Sequence, residues 1–184
     1  MTVWIHRIRS WAWSIGIAFF LSLLISTFVL QPTRVLGHSM EPTLKDHSRI
    51  LIAKWTRSLG EEPAYGDIVV IDSRIERKRS LLDDLSDYPL FQWIAGSGSS
   101  DVFWVKRVVG KAGDVIEIRD HHVYRNGIEL NEPYLKEQMA TSSQGQTITV
   151  PEGYIYVMGD NRNHSKDSRA IGVVPIGHIM GKKL

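Results

Sequence analysis

The stretch GHSMEPT, residues 37 to 43, places Ser39 directly after His38 and two positions before Glu41. These types could form an acylating nucleophile, but a serine hydroxyl attacks a carbonyl only when a base takes its proton across roughly 2.6 to 3.2 Å. Neighbouring side chains of an extended segment point to opposite sides, so His38 is aimed away from the Ser39 hydroxyl unless the backbone bends sharply. Glu41 shares the side of Ser39, yet a carboxylate of ordinary pKa is a weak base for an alcohol. The local triad is a coincidence of chain order, and the activating group is expected elsewhere.

The other histidines offer little. His47 falls in a turn, His121 and His122 flank a hairpin strand, His164 sits in a polar loop and His178 lies near the C-terminus, and each reads as solvated or structural. Spacing alone leaves His122 and His164 open as bases, because triads assemble in any chain order. A different base stands in FWVKRVVG, residues 103 to 110. On a strand, Lys106 shares one face with Trp104 and Val108, while Arg107 takes the other with Val105 and Val109. An apolar face disfavours the ammonium form, and a lysine brought from ~10.4 to ~7 to 8 serves as a general base near neutrality. At roughly 1.4 kcal/mol per pKa unit, the surrounding fold must supply ~4 kcal/mol. The competing reading is a lysine that snorkels to water.

These side chains need a scaffold. Residues 11 to 30, WAWSIGIAFFLSLLISTFVL, contain no charged residue and no histidine. At ~1.5 Å per residue a helix of that length spans a hydrocarbon layer of ~30 Å, so one membrane crossing is predicted. His6, Arg7 and Arg9 precede it and Arg34 is the one early cation after it, which places the N-terminus on the cytoplasmic side. A cleaved signal peptide would show a small-x-small site, which TFVLQPTRVLG lacks, and a buried core helix would show a broader polar stripe.

Gln31-Pro32-Thr33 breaks the helix, and beyond it short apolar runs are divided by Gly, Pro, Asp and Asn. Strands are predicted at 49 to 55, 67 to 72, 102 to 110, 114 to 120, 122 to 130, 146 to 150 and 153 to 159. Asn126-Gly127 matches a type I′ hairpin turn. No long helical period follows residue 31, so the fold class is mostly β, an antiparallel barrel or sandwich. Residues 73 to 101 combine a charge run, a stretch mixing acids with large apolars, and the flexible GSGSS; they read as a solvated excursion. Within it, Leu90, Phe91, Trp93 and Ile94 are alternatively placed to dip into a lipid interface.

A chain of 184 residues buries one core and a small second lobe. Lys+Arg of 22 against Asp+Glu of 20 leaves +2, which disfavours nucleic-acid binding, and the absence of cysteine removes disulfides, thiolate metal sites and thiol nucleophiles.

GHSMEPTL, WVKRVVG and GDNRNHSKDSR, in that order behind one hydrophobic segment and with GDIVVID between the first two, resemble the type I signal peptidases. These are membrane-bound Ser/Lys endopeptidases that remove signal peptides from exported proteins. The resemblance covers nearly the whole chain after residue 10 and is weakest from 73 to 101. It implies Ser39 as nucleophile and Lys106 as general base. Ser165 matches the serine that hydrogen-bonds and orients the lysine amine, and Asp167 and Arg169 match a supporting ionic pair. Asp160 and Arg162 match further residues of that loop, and Met40 is expected beside the nucleophile. A neutral amine needs a partner that fixes its lone pair toward the serine, and an Asp/Arg pair can hold a polar loop rigid.

Some members carry a serine two residues before the nucleophile as an oxyanion donor, where this chain has Gly37. Backbone N–H groups, that of Ser39 included, are then left to stabilise the oxyanion. The implied organisation is a cytoplasmic N-terminus (1 to 10), the anchor (11 to 30) and an extracytoplasmic catalytic region (31 to 184), with 114 to 150 as a smaller strand-rich lobe. The implied partners are preproteins bearing signal peptides and the lipid bilayer, with no cofactor and no metal. A calcium reading of GDNRNHSKD fails because Arg162 stands where a ligand belongs and no glycine occupies the sixth position. The sequon Asn163-His164-Ser165 is read as coincidental, since a glycan would crowd the site. Two rivals are a self-cleaving Ser/Lys repressor, which would need a DNA-binding domain, and a non-catalytic membrane-tethered β module, which leaves the Ser, Lys and loop motif unexplained.

Overall fold

The computed structural model describes residues 2–55, 60–75, 77, 103–140 and 145–184. Helix α1 (Thr2–Phe28) opens the chain and carries no polar stripe. The expected run of 11 to 30 is not one helical span. The helix stops at Phe28, and Leu30 already begins strand β1 (Leu30–Arg34), whose Pro32 cannot join a helix. Among the described residues no helix is long and apolar enough to cross a membrane. Large apolar side chains of α1, among them Trp11, Trp13, Phe19 and Phe20, are exposed.

Among the described residues ten further strands follow: β2 (Arg49–Ala53), β3 (Ile68–Asp72), β4 (Phe103–Gly110), β5 (Val115–Arg119), β6 (His122–Arg125), β7 (Ile128–Glu129), β8 (Gln146–Thr149), β9 (Tyr154–Met158), β10 (Val174–Pro175) and β11 (Ile179–Lys183). The fold is mostly β, and the strand pairs are antiparallel. A seven-stranded sheet runs β1-β2-β11-β3-β4-β9-β10, and a four-stranded sheet runs β7-β6-β5-β8. Pro32 is tolerated because β1 is an edge strand, where one side of the ladder needs no donor. Asn126 and Gly127 both take positive φ, as the type I′ turn requires, and join β6 to β7.

Strand β4 ties the molecule together. It pairs with β3 over residues 103 to 107 and with β9 only from Arg107 onward. At its end the register shifts next to Gly110, where a Cβ would stand 2.8 Å from Ile116 Cδ1 of the smaller sheet. Only glycine allows that approach. The smaller sheet has no separate core: Ile116, Ile118 and Val123 pack with Val109, Tyr156 and Met158 of the larger one. On β3, Ile68 and Val70 enter one cluster with Met40, while Val69 and Ile71 enter another with Val108, Val157 and Ile179. Both faces are covered, which is why DIVVI reads as a continuous apolar run. Most of the segment read as a solvated excursion, 73 to 101, lies outside the described residues.

Candidate active site

The turn that carries Ser39 is fixed from two sides. Gly37 takes φ +92°, which favours glycine, and donates its N–H to Asp46 Oδ1 at 2.9 Å. Met40 is fully buried beside Val35 and Leu44, and its carbonyl accepts from Leu44 N at 2.9 Å. From the far end of the chain, Asn161 donates its backbone N–H to Ser39 O and its Nδ2 to His38 O, each at 3.0 Å. His38 and Glu41 bond each other at 2.7 Å, and Lys136 Nζ holds the second carboxylate oxygen at 2.7 Å. The hydrogen bonds from His38 and Lys136 pull the Glu41 carboxyl down to about 2, which removes it as a base at neutral pH. His38 and Glu41 are occupied with each other: the segment turns here instead of running extended, which joins two side chains that strict alternation would put on opposite sides.

Lys106 Nζ lies 2.8 Å from Ser39 Oγ. The lysine is 3% exposed, so the snorkelling alternative does not apply. Burial pushes its pKa down to about 8, against the opposing pull of the Asp167 and Asp160 carboxylates and with some help from Arg169. A neutral amine at this distance accepts the serine proton. His122 instead faces Glu129 at 3.1 Å, and His178 is buried against the carbonyl of Arg77.

Three ion pairs hold the loop of residues 159 to 169. Asp167, fully buried, takes Arg169 Nε at 2.8 Å and the Gly159 N–H at 3.0 Å. Arg169 reaches on to the carbonyl of Arg162 at 2.6 Å, closing the loop on itself. Asp160 receives Arg107 through two bonds, 2.8 and 2.6 Å, and the Thr43 hydroxyl besides. Arg162 donates to Glu132, from the connection after β7, through bonds of 2.6 and 2.9 Å. Glu132, Asn161 and the anchoring role of Arg107 were not read from the sequence. Arg107 stood next to the expected base, whereas Glu132 gave no signal, its partner lying 30 residues away.

Ser165 differs from expectation in its bonding. Its hydroxyl is buried, forms no hydrogen bond to Lys106 and approaches Asp167 short of good geometry. It does stand beside Ser39: a Cβ on Gly159 would strike both Ser165 Oγ and the Ser39 carbonyl. Gly159→Ala is therefore expected to push these two residues apart and lower turnover on the order of 10²-fold, as a misplacement near 1 Å does. Wild-type kcat in that variant would show that the contact is not limiting.

A cleft of about 290 Å³ leads to the pair, with Thr33 to Leu36 on one wall, Phe103 to Val105 on the other and Val70 between. Among the described residues the Ser39 N–H makes no hydrogen bond, while that of Gly37 is already spent on Asp46. An extended peptide laid in this cleft would bring a carbonyl to the Ser39 hydroxyl, the Lys106 amine and a free backbone donor together.

The family model described as signal peptidase, peptidase S26, matches residues 8–184. The chain belongs to the signal peptidase family. Signal peptidase I of Bacillus licheniformis is 35% identical over 96% of this chain and 86% of its own. Signal peptidase I T of Bacillus subtilis is 34% identical over 93% and 80%, and the chloroplastic thylakoidal processing peptidase 1 of Arabidopsis thaliana is 33% identical over 89% and 43%. A solved signal peptidase I from Enterococcus faecalis aligns with 66% of this chain and 96% of its own, at 28% identity and a TM-score of 0.46. The chain is accordingly a serine endopeptidase of the S26 family that cleaves signal peptides. The repressor and non-catalytic readings fall with that membership.

Proposed function

We propose that Ser39 and Lys106 carry out this cleavage as a dyad, and the observation that supports it best is the 2.8 Å approach of Ser39 Oγ to a buried lysine. Neutral Lys106 takes the serine proton as Oγ attacks the scissile carbonyl, and gives it to the leaving amine when the peptide bond breaks. Water, deprotonated by the same lysine, then hydrolyses the acyl-enzyme. The Ser39 N–H serves as oxyanion donor, Gly37 shapes the turn and Met40 seats it in the core. Asp160, Arg162, Ser165, Asp167 and Arg169 keep the C-terminal loop against the pair. Small residues at the first and third positions before the cut suit the shallow cleft, in which the substrate lies as an extended strand.

The same reading makes α1 a single-pass anchor with a cytoplasmic N-terminus and an extracytoplasmic catalytic region from residue 31, in which 114 to 150 form the smaller lobe. The uncharged run of 11 to 30 and the exposed aromatics of α1 support it. The substrates are then exported preproteins met at the bilayer surface.

The test is cleavage of a preprotein by the chain purified in detergent. Ser39→Ala is expected to abolish turnover, and cleavage at the wild-type rate would remove Ser39 from the mechanism. Because the reactive amine is neutral, kcat/KM of the wild type should climb with pH to a plateau, with a midpoint near the lysine value of about 8. A profile flat down to about pH 5 would point to a different base.

A further inference from the structure

The connection of residues 131 to 140 leaves the smaller sheet and reaches Arg107, Glu41, Arg162 and Asn163 around the pair. Its anchor is Met139, buried in the shared core, with its carbonyl 2.6 Å from His121 Nδ1. Glu132 sits in a nearly sealed ion pair with Arg162, the two side chains 5% and 1% exposed. Arg162 Nε in turn donates to the carbonyl of Gly159 at 3.1 Å. The ring of Tyr134 lies 3.9 Å from the guanidinium of Arg107, which grips Asp160. Tyr134 also donates its hydroxyl to Glu132 at 2.7 Å, linking the two arginine contacts. Further on, Lys136 holds Glu41 beside the nucleophile. Asn163 donates to Glu137 Oε1 and the carbonyl of Gln138, each at 2.9 Å, and accepts from Ala140 N at 2.7 Å.

We propose that this segment is a positioning strap, in which Glu132 and Tyr134 fix the two arginines that clamp the Gly159–Asp160 peptide beside Ser39 and Lys106. The proposal rests on Ser39 and Lys106 as the catalytic pair. Its physical logic is a division of labour. The carbonyl of Gly159 is held by Arg162, its N–H by Asp167 and the following carboxylate by Arg107. Two of those three holders are oriented by the strap. Neither Glu132 nor Tyr134 lines the substrate cleft, so both act through the arginines and not on substrate.

Slackening the strap has two separable consequences. The pair loses alignment, which lowers kcat and leaves KM little changed. Water also gains access to Lys106. Burial is the largest influence holding that amine down, ahead of the charges of Asp167, Arg169 and Asp160 around it. Hydration therefore moves the activity midpoint to higher pH.

The experiment compares Glu132→Gln, Tyr134→Leu and Tyr134→Phe in the full chain in detergent on one preprotein. Glu117→Gln, on the same lobe and paired with Arg119 instead of with the strap, is the control. The expected result is a kcat loss on the order of 10²-fold for Glu132→Gln and a smaller one for Tyr134→Leu, with KM within about threefold. Both midpoints should move alkaline, and Tyr134→Phe, which keeps the ring, should restore kcat. If Glu132→Gln does not fold, the Leu and Phe variants at Tyr134 decide alone. Wild-type kcat and midpoint in the folded variants, or a loss confined to KM, overturns the strap and leaves the catalytic pair untouched. Only cleavage by the Ser39 or Lys106 variants undoes the pair.

Discussion

Lys106→Met is expected to abolish preprotein cleavage while making the chain more stable at pH 7. Lysine and methionine have similar length, and the site is almost closed to water, so the thioether fills the space without a charge to bury. With the proposed base gone, the Ser39 hydroxyl is an unactivated alcohol, and a loss of 10³-fold or more in kcat is the order seen when one member of a catalytic unit is removed. The stability gain has its own sign check. Below about pH 8 Lys106 is protonated both folded and unfolded, and the full cost of burying the ammonium is present. Between about 8 and 10.5 the folded chain has released the proton and the unfolded chain has not, so wild-type stability rises with pH across that window. The drop from 10.5 to about 8 corresponds to about 3 kcal/mol. Losing the contact to Ser39 gives back about 1 kcal/mol, which leaves a gain near 2 kcal/mol at pH 7. Thermal unfolding should register it as a Tm about 4 to 8 °C higher. The gain should shrink on going to pH 10. A variant no more stable than wild type at pH 7 would show that burial of the amine is not costly here, and one that still cleaves would show that another group is the base.

The same lysine shows why the core of the site could be read from the chain. Alternation along FWVKRVVG puts Lys106 between Trp104 and Val108 whatever the rest of the molecule does, and the structure buries it there. His38 was correctly set aside as the base, although it is the turn at 37 to 43 and the bond to Glu41 that engage it. Most strands were legible for a similar local reason: short apolar runs end at turn residues such as Asn126-Gly127, whose backbone takes the required positive φ. What escaped was decided by distant partners. The residues of β1, LQPTR, look like a helix break, and they become a strand because β2 supplies a ladder for them. In β11, IMGKK resembles a charged tail, yet Gly181 permits contact with the Ala53 carbonyl that no side chain would tolerate. Glu132 follows no period and belongs to no motif. Its role arises only when the smaller sheet folds back over the loop and an arginine must be neutralised out of water.

Asp167→Ala is expected to cost about 3 to 5 kcal/mol, because one carboxylate ends several obligations at once. Arg169, 9% exposed, would be left without its counter-ion, and the buried Gly159 N–H would lose its acceptor. The short helix α2 (Ser168–Ile171) would also lose its cap, which Asp167 supplies by accepting from Arg169 N. Burial alone would raise the Asp167 carboxyl, but the hydrogen bonds and charge of Arg169, with the Gly159 N–H, hold it below its usual value. Its contribution is therefore complete above the unfolded carboxylate range, roughly pH 4, and is lost as pH falls through the lower folded value. Urea titration at pH 7 should show a clearly lower midpoint for Asp167→Ala, and the gap to wild type should narrow under strong acid. A midpoint within error of wild type would mean that water replaces the carboxylate and that the pair orders the loop without stabilising it. Activity separates these outcomes further. Gly159 stands against Ser165 and the Ser39 carbonyl, so a loop released at Asp167 slackens the nucleophile from behind. Turnover should then fall even in the fraction of Asp167→Ala that remains folded.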